Sequence, residues 1–156
     1  MIRLSFCLPE PGSSWFMTWE AAKQGDPASI SEIDLRYKYF GVNVEMVVDD
    51  VEMISKKRFV TLVDMALSIS EVVARISRGE DAMFGFTESE DVIRLHREVN
   101  SVSVESSRTG KCASVSRDEL IDTFSTFLRE VHSRLINEVP RLGENSTIRK
   151  VVAGLS

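Results

Sequence analysis

Residues 101–138 read SVSVESSRTGKCASVSRDELIDTFSTFLREVHSRLINE, and the periodicity of this stretch changes once, at Ser116. Before that point Val102 and Val104 alternate with Ser101, Ser103 and Glu105. After a turn at Arg108-Thr109-Gly110, Ala113 and Val115 alternate with Cys112 and Ser114. A period of two is the mark of a half-buried strand, and Gly110 is free to take the positive φ that a tight turn needs. From Ser116 the spacing becomes three and four. Ser116-Arg117-Asp118-Glu119 has the form of a capping box, in which the Ser hydroxyl accepts an early backbone N–H and the Glu reaches back to the cap. Leu120, Phe124, Phe127, Leu128, Val131 and Leu135 then make one apolar stripe, and Pro140 stops it. Two tightly joined strands followed by a one-sided helix predict an antiparallel sheet with a helix over residues 116–138.

The same signals extend toward the N-terminus. Ile93 and Leu95 alternate with Arg94 and His96, and Ala82, Phe84 and Phe86 share a parity, which predicts two more short strands. Phe59, Leu62, Val63, Ala66, Ile69, Val73 and Ile76 predict a helix over 55–78, ended by Gly79 behind Arg75 and Arg78. Val42, Val44, Met46 and Val48 predict a strand, and so do Ile33, Leu35, Tyr37 and Tyr39, with a hairpin turn or bulge at Phe40-Gly41. Residues 2–8 alternate as a strand, Pro9 to Ser14 form a turn cluster, Trp15 to Trp19 suggest a second short strand, and residues 20–30 a loop. The sum is α+β: a mostly antiparallel sheet of short strands with two long amphipathic helices packed on one face. Phe59, Leu62, Val63, Ala66, Phe124, Phe127, Leu128 and Val131 are the expected core.

A length of 156 residues fits one domain, taken as 1–140, with 141–156 a loosely docked or partly disordered tail. Apolar residues make 43% and charged residues 28%, the balance of a globular protein. Nineteen Lys and Arg against 24 Asp and Glu give a net charge of -5, which argues against a nucleic-acid partner. No apolar run reaches membrane-spanning length and the first residues lack the form of a signal peptide, so the expected compartment is the cytoplasm. Cys7 and Cys112 are then expected as free thiols, packed as small hydrophobes.

Motifs for chemistry are scarce. His96 and His132 fall in no metal spacing, and the scattered glycines make neither a dinucleotide fingerprint nor a phosphate loop. A Cys112–His96 pair on neighbouring strands lacks a local signature for an orienting group. Lys56-Lys57-Arg58 reads as the solvated opening of a helix. Trp15 and Trp19 read as core cover. No metal, cofactor or enzymatic activity is expected.

Charge is the more telling feature. Residues 80–91, EDAMFGFTESED, hold five carboxylates and no base, and Asp49, Asp50 and Glu52 add a second run at an expected strand-to-helix junction. Calcium-loop order is absent. Such residues keep sheet edges soluble, and they also rim surfaces that meet a basic protein. Asp49, Asp50, Glu80, Asp81, Glu88, Glu90 and Asp91 are the candidate partner-binding residues.

The strand pair 33–48, helix 55–78, strand run 82–116 and capped helix from Ser116 together resemble bacterial immunity proteins of polymorphic and contact-dependent growth inhibition toxins. The resemblance implies a non-catalytic domain, monomeric when free, that binds and neutralises a cognate toxin such as a basic nuclease. No family residue carries over, because no motif is shared. Two other readings stay open: a small enzyme with a pocket between sheet and helices, and an adaptor that takes a peptide at a sheet edge.

Overall fold

The computed structural model describes residues 1–87 and 89–155. Seven strands among them form two antiparallel sheets. The first contains β1 (Ile2–Cys7), β2 (Gly41–Val48) and β3 (Val51–Thr61) in that order. The second is a meander of β4 (Ala82–Phe86), β5 (Ser89–Arg97), β6 (Ser101–Ser106) and β7 (Cys112–Ser116). The α+β class and the antiparallel pairing are as expected, but the single sheet is two. The expected strands at 82–86, 93–95 and 101–116 are all present.

Helices α1 (Ser14–Ala22) and α2 (Glu32–Tyr37) replace two expected strands. Their caps explain both corrections. The Ser13 hydroxyl accepts the Phe16 N–H, and the Ser31 hydroxyl accepts the Asp34 N–H, each satisfying an orphan donor of a first turn. Trp15 and Trp19, four apart, thereby share one helix face. In α2 only Leu35 is buried, while Ile33 and Tyr37 stand exposed, so their common parity carried no strand.

A third correction moves a boundary. Residues 51–61 are β3, and α3 begins at Leu62 and ends at Ser77. Phe59 is therefore not on the helix stripe. It is a strand residue whose ring stacks on Trp15, with centroids 5.2 Å apart. Lys56-Lys57-Arg58 likewise lie in β3. Asp49 and Asp50 form the two-residue β2–β3 turn, with φ of 49° and 66°, the left-handed pair a tight hairpin requires. They do not join a strand to a helix. At the far end of α3, Gly79 at φ 79° lets its N–H reach the Ile76 carbonyl and the Glu80 N–H reach that of Arg75, a Schellman stop.

Helix α4 (Arg117–Glu138) packs along α3 and touches β1 of the first sheet and β6 and β7 of the second. Phe124, Phe127, Leu128 and Val131 are buried there with Leu62, Val63 and Ala66 of α3. Each such side chain contributes roughly 1.5–3 kcal/mol. The Ser116 hydroxyl caps the Glu119 N–H as the sequence implies. The Glu119 carboxylate accepts the N–H of Ile2, 117 residues away. Beyond Pro140, where a loosely docked tail is expected, the chain makes α5 (Ser146–Ala153), with Leu142, Ile148 and Val151 fully buried. Buried Asn145 caps α5 and donates to the carbonyls of Pro27 and Ile30, both at 3.0 Å.

Candidate functional site

The candidate acidic residues fall in three places. Glu80 and Asp81 sit at the α3–β4 joint. Glu80 pairs with Arg78 at 2.5 Å and Arg75 at 3.6 Å, and the Arg78 bond holds its carboxyl below the usual range. Asp81 accepts the backbone N–H of Arg97 at 2.9 Å and faces His96 Nδ1 at 2.9 Å. The Arg97 N–H, and after it His96, pull the Asp81 carboxyl down as well. Asp91 lies toward the other end of β5, five residues from His96, or about 16 Å along a strand. It pairs with Arg58 of β3 at 3.2 Å. Arg58 also donates to Ser89 and lies over the Phe86 ring, 4.4 Å from its centroid, so one guanidinium straps the two sheets together. A cavity of about 260 Å³ opens beside it, lined by Met53, Ile54, Ile93 and Arg108. Glu90 neighbours Asp91, and Glu88 lies outside the described residues. Within the acidic run, Glu80 and Asp91 are thus matched by arginines from elsewhere and Asp81 by His96 and a backbone N–H, and the exposed pairs of Glu80 contribute little to stability.

Asp49 and Asp50 are placed differently. Their turn adjoins the start of β1 and the first turn of α4. The Met1 ammonium lies 3.9 Å from Asp49 and 3.8 Å from Glu119. Next to it, a groove of about 250 Å³ runs between β1 and α4, and Arg3, Asp122 and Glu130 stand on its walls. Arg3 is paired with Glu45 at 3.2 Å. Asp49, Asp50, Glu119 and Asp122 therefore lie toward one end of the molecule, and Glu130 stands about 16 Å further along α4 than Glu119, beside Phe6 and Cys7. The sequence reading missed the three on α4, because residues on α4 and on the β2–β3 turn are far apart in the chain. Of these only Glu119 had a signal, as part of the acidic first turn of α4 that complements its dipole; Asp122 and Glu130 lie beyond that turn.

The remaining polar side chains do not converge on one centre. Cys7 and Cys112 are exposed, contrary to the expectation of burial, because both fall on outward positions of strands at sheet edges. Cys112 Sγ lies 3.0 Å from Ser103 Oγ, and Ser103 stands opposite His96 in the β5–β6 register. This places Cys112 and His96 on the same open face with Ser103 between them. Among the described residues no three His, Cys, Asp or Glu side chains gather as a metal-ligand set. No described helix is long and apolar enough to cross a membrane. In comparisons with known proteins, the chain matches no family model, no curated protein and no solved structure.

Proposed function

We propose that this chain is a non-catalytic protein-binding domain whose partner is a basic protein, and, on the resemblance drawn from its element order, a cognate toxin that it neutralises in the cytoplasm. The observation that carries the reading is the acidic end around the β1–α4 groove. Asp49 and Asp50 are held by a two-residue turn and Glu119, Asp122 and Glu130 by a long helix, so the charges are fixed before a partner arrives. Even with the Met1 ammonium between Asp49 and Glu119 and Arg3 on the groove wall, the preset charge is mainly negative, and such charge steers a complementary surface and rejects like-charged ones. Glu80 and Asp91 are paired with arginines and Asp81 with His96, so they and Glu90 have a lesser part in the reading.

The test is a binding titration against the purified product of the neighbouring reading frame, comparing the native chain with Asp50→Lys, Asp122→Lys and Glu130→Lys combined. All three side chains are exposed, and a circular-dichroism spectrum checks that the turn accepts Lys at the left-handed Asp50. Association with the native chain should slow as salt rises. The triple variant should associate at least roughly tenfold more slowly at low salt and lose that dependence. An unchanged rate and unchanged salt response would remove this surface from the reading, and failure to bind at all would remove the reading itself.

A further inference from the structure

We infer that β4 is a docking edge for a second copy of this chain, paired antiparallel about a two-fold axis at Phe84, in place of the monomer expected from the resemblance. The backbone phase of the sheet supplies the first part of the argument. The Ser107 N–H donates to the Val92 carbonyl at 3.0 Å, and Glu98 donates to Ser101 in the same register. Val92, Arg94, His96 and Glu98 therefore bond toward β6, while Ile93 and Leu95 bond toward β4. Their partners in β4 are Phe84 and Ala82. The N–H and C=O groups of Met83 and Gly85 thus point away from β5, along an edge that no described strand covers.

The composition of that edge is the second part. Natural edges are blunted by charge, proline or a covering element. The β4 sequence AMFGF has neither charge nor proline, α3 runs beside it with Glu71 and Arg75 on one flank, and Met83 keeps 56% of its surface exposed. The sequence is also self-complementary. A two-fold at Phe84 sets Met83 of one copy beside Gly85 of the other, and Ala82 beside Phe86. Large residues meet small ones at each of these positions. Met83 and Gly85 also exchange the free backbone bonds.

Charge agrees. The groove beside β4, about 510 Å³, is lined by Glu71 and Asp81 and by Arg75 and Arg94, two of each sign. An isologous interface places such a patch against itself, which balanced charge permits and a single sign would oppose. β4 and β7 are opposite edges of the sheet and α4 starts directly after β7, so pairing at β4 does not use the strand that leads into α4.

Sedimentation of the full chain across micromolar to millimolar concentration tests this, with amide exchange measured at both ends of the range. The mass should rise from 17.5 kDa toward twice that value. Exchange at Met83 and Gly85 should slow at least about tenfold in step with it. Met83→Lys, at an exposed position, should weaken association roughly tenfold or more, because the two-fold uses the substitution twice. A mass that stays at 17.5 kDa would overturn the inference. So would a dimer in which Met83 and Gly85 exchange as they do when dilute, or one that Met83→Lys leaves intact.

Discussion

Gly41→Ala is expected to be among the most damaging small substitutions in this chain. Helix α1 is clasped to the start of β2 at this residue. Thr18 Oγ1 accepts the Gly41 N–H at 2.9 Å, and Trp19 Nε1 donates to its carbonyl at 2.8 Å. Trp15 lies over its Cα, so that a β-carbon there would fall 2.0 Å from the indole Cε3 and 2.7 Å from Cζ3. The ring must move, and moving it breaks the stack on Phe59, whose plane is within 4° of parallel. Overpacking of this kind costs about 1–3 kcal/mol and a lost aromatic pair about 0.5–1.5 kcal/mol more, together roughly 2–4 kcal/mol. For a chain of this length that is a drop of about 4–16 °C in Tm. Urea denaturation followed by tryptophan fluorescence reads the effect directly. The decisive comparison is Gly41→Ala placed in a Trp15→Ala background, where the methyl group has room and its further cost should fall below about 1 kcal/mol. A loss of less than about 0.5 kcal/mol in the native background, or an equal loss in both backgrounds, would refute the steric reasoning.

Phe124→Ala should cost about 3–5 kcal/mol in the same denaturation assay, since its ring is fully buried between α4 and the core. Asn145→Ala should cost about 2–4 kcal/mol, because it removes the α5 cap and leaves the carbonyls of Pro27 and Ile30 without their donor; chemical denaturation checks this. The Asp81 carboxyl should titrate below the ordinary aspartate range in an NMR pH series, and His96→Ala should restore it only in part, because the Arg97 N–H remains. Its folded value is depressed, so its contribution to stability is fully present above the unfolded value near about 3.9 and is lost as pH falls through the lower folded one.

What the sequence made legible followed the distance over which each signal acts. β5 to β7 and α4 could be read because period, turn and cap lie within a few residues of one another. The two short helices were hidden for different reasons. In α1 four bulky apolar residues crowd together and favour strand by propensity, while a single hydroxyl at Ser13 decides for helix. In α2, six residues long, the parity of Ile33, Leu35 and Tyr37 mimics a strand because so short a helix buries only one side chain. The α3 boundary was displaced because Phe59 happens to stand three residues before Leu62, in phase with the stripe. For the acidic residues, the sequence shows carboxylates in a row but not Arg58, Arg75 and Arg78 beside them. Equally, Asp122 comes toward Asp49 only through the β1–α4 contact, which no local pattern announces.

The bond from Glu119 to Ile2 and those from Asn145 to Pro27 and Ile30 have a consequence for how the chain is made. Each sheet is drawn from a continuous stretch, residues 2–61 and 82–116, and the second is a run of hairpins whose contacts form quickly. Neither sheet needs the other to complete its ladders. The flank of β1 and the carbonyls at 27 and 30 do need residues that are synthesised more than 100 positions later, Glu119 and Asn145. During translation the early part therefore waits, with its apolar flank open, for the final third of the chain to arrive and close over it. A destabilised α4 or α5 would first be felt there, as a slower closing step and a longer exposure of β1 to chaperones and proteases, before any loss in the hairpins between.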